Sequence, residues 1–237
     1  GLSLNTSTST ISNSTIQNNY KRQSGDNEDF YGVYALRGQV EVNNSSFDNN
    51  QIGIGFFDTL GSSVSDNNFT NHEGFPLIMN GSSGFSLVNN SGSGNDKNGI
   101  QVCGYITKIG FDTTLVQNPL PYLVEKSIEV IVGTSLSISS GSVFKFKQYN
   151  INVAGELNVN GVAGNPVIFT SADDDSDGID VYGNGVTATS SISKIGGINL
   201  HSATSTIENA EFRYLDRATA YYDTYGVQSP INLKNVI

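Results

Sequence analysis

The sequence predicts an all-β fold, a right-handed parallel β-helix with about 21–24 residues per rung, and three observations carry that expectation. One phrase recurs: ISNSTIQNN (Ile11 to Asn19), VNNSSFDNN (Val42 to Asn50) and VSDNNFTNH (Val64 to His72) each place an apolar residue, small polar residues, then Ile or Phe five positions on. Phe47 and Phe69 stand 22 residues apart, and Ile16 stands 31 before Phe47, which falls to 22 if Lys21 to Asp29 is a nine-residue insertion. Second, two-residue alternation runs through short segments separated by Gly, Asn and Ser, with almost no helical period. Third, 28 Asn, 30 Ser, 17 Thr and 26 Gly with 14% charged residues suit short strands joined by tight turns, because Asn and Gly accept left-handed backbone angles.

The elements follow in order. Leu2 and Leu4 already alternate, and the chain ends in INLKNVI, so it is expected to be a fragment of a longer protein. Ile16, Phe47 and Phe69 are expected to stack inward. Second strands are expected at Gly32 to Ala35, Ile52 to Gly55, Phe75 to Ile78 and Gly99 to Val102. The next rung keeps its frame in Leu87 to Asn90 but carries Gly92 where the keystone should be. Asn13, Asn44 and Asp66, and likewise Asn18, Asn49 and Asn71, fall one above another, as turn formers or as a ladder of side-chain amides.

Asn118 to Tyr122 (NPLPY) interrupts the pattern and divides the chain into a section at 1–117 with Asn-rich rungs and a second section at 118–237. In the second section Leu136 and Ile138 repeat 21 residues later as Leu157 and Val159, with strands at Val143 to Phe146 and Val167 to Phe169 between corner glycines. An acidic insertion at 172–192 leaves the coil.

A net charge of −10 argues against a nucleic-acid backbone or an anionic membrane surface, which require a basic footprint. Cys103 is the only cysteine, so no intrachain disulfide forms, and two histidines cannot build a Cys/His metal centre. No apolar run approaches the roughly 18 residues of a membrane helix.

The run from Pro121 to Gly178 resembles the opening coils of right-handed parallel β-helix repeats of the pectin-lyase-like superfamily, found in large bacterial surface and secreted proteins. The resemblance rests on Leu136-Ser-Ile138 before Gly141, on Phe144-Lys-Phe146, on Gly155-Glu-Leu157 and on Asn165 to Ser171 before the acidic loop. Gly196 to Leu200 and Ser205 to Ala210 resemble the coils that follow. The superfamily hosts lyases, hydrolases, epimerases, adhesins and stalks, so the resemblance speaks for fold and an extracellular or cell-surface location more than for activity.

Chemistry has few candidates. Asp173 to Gly178 contains D-x-D-x-D-G, the first half of a calcium loop, in which Asp173, Asp175, Asp177 and the Ile179 carbonyl would hold a structural calcium ion; Asn184 stands where the closing Glu would be. Tyr221, Tyr222 and Tyr225 are candidates for stacking on a glycan, although alternation turns some of them inward. Lys145 and Lys147 fall on the outer face, and Arg213 and Arg217 flank Asp216, without a convergent catalytic set. The expected function is a non-catalytic structural or adhesive segment of a cell-surface or secreted protein, meeting a polysaccharide or another surface protein. The alternative is a carbohydrate-active enzyme, lyase- or hydrolase-like, or a glycan-binding module.

Overall fold

The structure is a computed structural model that describes residues 1–20, 29–106, 112–176, 178–185, 196–201, 204–215, 219–221 and 231–236. Its strands form nine successive rungs among these residues. The first is β1 (Leu2–Asn5), β2 (Thr8–Ser12) and β3 (Thr15–Gln17); the second is β4 (Tyr31–Leu36), β5 (Gln39–Asn43) and β6 (Ser46–Asp48). The third is β7 (Ile52–Phe57), β8 (Ser63–Ser65) and β9 (Asn68–Thr70), and the fourth β10 (Leu77–Asn80), β11 (Ser86–Val88) and β12 (Ser91–Ser93). β13 (Ile100–Ile106) and β14 (Thr113–Leu115) make the fifth. The sixth is β15 (Tyr122–Val124), β16 (Ile128–Val130) and β17 (Ser135–Ser139); the seventh is β18 (Val143–Phe146), β19 (Ile151–Val153) and β20 (Glu156–Asn160). β21 (Val167–Ser171) and β22 (Ile198–Leu200) follow. β23 (Ser205–Phe212) closes the eighth rung and opens the ninth, with β24 (Thr219–Tyr221) and β25 (Ile231–Val236).

Every named strand pair is parallel, and each strand pairs with its counterpart one rung away. The fold is therefore an all-β parallel β-helix solenoid, in which the backbone bonds of one rung are closed by its neighbours. At about 4.8 Å per rung, nine rungs make a coil roughly 40 Å tall. Ile16 pairs with Phe47 and Phe47 with Phe69, the latter with stacked rings 4.9 Å apart. The nine extra residues in the first interval fall between β3 and β4, where residues 21–28 lie outside the described residues.

One lateral face runs without interruption through β1, β4, β7, β10, β13, β15, β18 and β21, so the Asn118 to Tyr122 segment changes the cross-section without breaking the coil. The sheet β3-β6-β9-β12 ends before it, and the face β16-β19-β22-β24 continues from the second half of β13. A second aromatic column then fills the interior: Tyr122 on Phe144 at 4.9 Å, Phe144 on Phe169 at 5.4 Å, and Phe169 on Phe212 at 4.9 Å. Each such buried ring contributes about 2–3 kcal/mol of hydrophobic stabilisation.

The turns resolve the two readings of the recurring Asn residues. Asn13, Asn44 and Asp66, and Asn18, Asn49 and Asn71, all have φ between +47° and +60°, so they form the corners. Three axial side-chain bonds run from these corners: Asn49 Nδ2 donates to Asn18 Oδ1 at 2.7 Å, Asn71 Nδ2 to Asp48 Oδ1 at 2.9 Å, and Asn89 Nδ2 to Asp66 Oδ1 at 2.8 Å. The buried ladder is the next residue along. Asn50 donates Nδ2 to Ile16 O at 3.0 Å and accepts the Asn19 N–H at Oδ1, 3.1 Å away. Asn67 spans Val42 O and the Ser45 N–H, Asn90 spans Val64 O and the Asn67 N–H, and Asn118 spans Leu87 O and the Asn90 N–H. Each amide thus bridges the carbonyl and the N–H three residues apart at the preceding rung's corner. At Gly92, a Cβ would stand 2.8 Å from Phe69 O and 3.0 Å from Asn95 Nδ2; the ladder's Asn95 takes the room of the missing keystone.

Candidate functional site

Strand alternation sends Tyr34, Gly55, Ile78, Gln101, Leu123 and Lys145 outward in one vertical file along the long lateral face. Its lower end is covered. Residues 172–176 and 178–185, the described part of the expected insertion, fold back over the sheet instead of projecting into water. Ala172, Ile179, Val181 and Tyr182 join Ile52, Phe75, Ile78 and Leu123 in a second apolar cluster outside the coil. This burial turns the insertion into a strap.

Polar contacts pin the strap. Lys145 is 0% exposed, and its ammonium donates to Asp174 O at 2.5 Å and to Ile179 O. Asp174 accepts Thr170 Oγ1–H at 2.5 Å and the Ser176 N–H at 3.0 Å. Burial raises the Asp174 carboxyl pKa, but the donors from Ser176 and Thr170 and the Lys145 charge outweigh it and hold it below the usual range. Asp180 accepts the N–H groups of Tyr182 and Gly185 at 3.1 and 2.9 Å, fixing the turn through Gly183 and Gly185, both at φ +62°. At the far end Asn98 N–H donates to Val181 O at 2.7 Å, and Tyr182 Oη donates to Glu125 Oε1 at 2.7 Å.

Above the strap the face stays open as a cleft of about 320 Å³, with Asp29, Glu73, Phe75, Lys97, Gln101 and Glu125 among its walls. Lys97 Nζ donates to Glu125 Oε2 at 2.5 Å and lies 4.6 Å over the Phe75 ring. Gln101 is 4% exposed. Its Oε1 faces the Cys103 thiol at 3.9 Å, and its amide NH2 has no partner among the described residues. Burial pushes the Cys103 thiol up to about 11, so it stays protonated and unreactive at neutral pH.

A second hollow of about 610 Å³ adjoins the first through Asp29, which lines both. Its floor is aromatic: Tyr31, Tyr34 and Phe57 contact one another with centroids 5.1–5.7 Å apart. Gly55 permits this, because a Cβ there would stand 2.4 Å from Tyr31 Cε1 and 2.7 Å from Phe57 Cε2. Phe56 points into the core and Phe57 outward, as alternation requires.

Of the residues expected to hold calcium, Asp173, Asp175 and the Ile179 carbonyl lie on the strap. The Ile179 carbonyl is held by Lys145, and Asp173 pairs with Lys147 at 3.3 Å, so a cation would have to displace two ammonium groups. Asp175 lies half-buried in the strap, and Asp177 lies outside the described residues. No group of three His, Cys, Asp or Glu converges among the described residues. Tyr221 belongs to β24, where it pairs with Leu200; its side chain, Tyr222 and Tyr225 lie outside the described residues, as do Asp216 and Arg217. The sequence reading missed the cleft, because Asp29, Glu73 and Lys97 precede three different strands and only stacking brings them together. A vertical count of charged residues just before each second strand would have found them.

The fold and this face define a parallel β-helix solenoid with a two-part cleft on one lateral sheet. Comparison with protein-family models, with curated proteins and with solved structures finds no match. No helix of the described residues is long and apolar enough to cross a membrane.

Proposed function

We propose that the chain is a non-catalytic, extracellular structural or adhesive segment of a cell-surface or secreted protein. The observation that carries this reading is the unbroken axial register from β1 to β21, in which aromatic columns and amide ladders tie each rung to the next. Such stacking favours a stiff spacer, because bending the coil would strain every ladder at once. Single-molecule stretching tests it: the scaffold reading expects stepwise, rung-sized yielding at high force, and loose extension at low force would overturn it.

The second reading is a glycan-binding module, favoured by the open cleft and its aromatic floor. The non-catalytic part is tested by incubating the chain with neutral and uronate-containing polysaccharides. No new reducing or unsaturated ends are expected, and turnover would make the chain a carbohydrate-active enzyme.

A further inference from the structure

We propose that the strap is a gate over the lower half of the lateral face, and that Glu125 latches it to the wall of the cleft. Glu125 Oε1 accepts the Tyr182 hydroxyl of the strap at 2.7 Å, and its Oε2 accepts Lys97 Nζ of the cleft at 2.5 Å. The Glu125 side chain is only 15% exposed. Losing either partner leaves a nearly buried carboxylate short of a donor, so it turns to water and abandons the other. Wall and strap therefore hold or release Glu125 together. Two further contacts join the same pieces. The Asn98 N–H, next to Lys97 in the chain, donates to Val181 O at 2.7 Å. Lys97 lies over Phe75, whose ring belongs to the apolar cluster that Val181 completes.

The strap is built to open before the coil does. Its described residues form no strand and are seated by side chains and isolated backbone bonds, whereas the sheet beneath is closed by a ladder on every rung. A segment seated this way opens at lower free energy than the sheet. Opening uncovers the outward file: Val181 covers Leu123, and Lys145 lies at 0% exposure beneath Asp174 O and Ile179 O. With the strap lifted, the cleft that ends at Gln101 continues over Leu123 to Lys145, one rung and then the next. The linkage is reciprocal: an occupant of the cleft that draws Lys97 from Glu125 loosens the strap, and an open strap frees Lys97 for an occupant.

The test is amine labelling of Lys145 in the whole chain, by brief pulses of acetic anhydride read by mass spectrometry, because that ammonium is reached only when the strap lifts. Tyr182→Phe keeps the ring and removes the hydroxyl. Lys97→Met keeps the packing on Phe75 and removes the ammonium. The first should speed labelling about tenfold and the second about threefold, yet the double variant only about tenfold, where independent contacts would give about thirtyfold. Thr170→Val loosens the strap at Asp174, away from Glu125, and should multiply in full with Lys97→Met. Unchanged labelling in Tyr182→Phe would mean that the far end frays alone, which overturns the gate. Full multiplication of Tyr182→Phe with Lys97→Met overturns the latch. Labelling that rises together with backbone-amide exchange in β15 and β18 places the opening in the coil and overturns both.

Discussion

His72 occupies the position below Asn50 that the amide ladder elsewhere gives to asparagine: its Nδ1 accepts the Asn50 N–H at 3.1 Å, and its buried Nε2 has no hydrogen-bond partner among the described residues. Asn50 and Asn95, on either side of it, each make the second bond, to Ile16 O and Phe69 O. The ring reproduces the acceptor of an asparagine and wastes the donor.

His72→Asn should therefore stabilise the coil, by about 1 kcal/mol, because an amide Nδ2 would reach the Phe47 carbonyl by the same geometry. His72→Ala should destabilise it by about 2 kcal/mol, leaving the Asn50 N–H buried and unpaired. Thermal melts of the two variants check the ordering.

Acid should act through the same residue. Burial lowers the His72 pKa from 6.5 to about 4, against smaller opposing effects of the Asn50 contact and Asp48. The unfolded chain takes up the proton near pH 6.5 and the folded chain only near 4, so the stability is present above 6.5 and lost as pH falls towards 4. The full loss is about 3 kcal/mol. Melting temperature should fall more steeply across this window in the wild type than in His72→Asn; parallel curves would refute the assignment.

Neighbouring asparagines should respond in opposite ways. Asn89 has φ +53° on an exposed corner, so Asn89→Gly should be neutral within about 0.5 kcal/mol. Asn90→Ala should cost about 2–4 kcal/mol, since Val64 O and the Asn67 N–H lose their buried bridge. Denaturation of the pair separates corner from ladder.

Lys145→Met keeps the length of the side chain and removes the ammonium from beneath the strap. Asp174 O and Ile179 O are then left without it, and protease cleavage within 173–185 should accelerate about tenfold while the coil persists. Peptide mapping after limited proteolysis reads this directly. Millimolar calcium should leave the wild-type melting temperature unchanged, because Lys145 already holds the Ile179 carbonyl.

Period, strand order and the inward columns were legible in the sequence, because most rungs repeat the same local demand: an apolar residue inward and a left-handed residue at the corner. Ile16, Phe47 and Phe69 could be stacked on paper for that reason, and so could Leu136 over Leu157. The doubled asparagines Asn49-Asn50 and Asn89-Asn90 hinted at more, but a one-residue difference separates a corner from a buried bridge, and only the backbone angle tells which is which. Tertiary structure alone decided the fate of the acidic insertion and of the cleft. The sequence made the strap look solvated, since Asp173 to Asp177 dominate it. Its Val181 and Tyr182 gain more by covering Leu123 than they lose in ordering, and Lys145, outward by alternation, becomes buried beneath them. Asp29, Glu73 and Gln101 share no local pattern at all; they meet because stacked rungs convert distances of 20 or more residues along the chain into one rung of height.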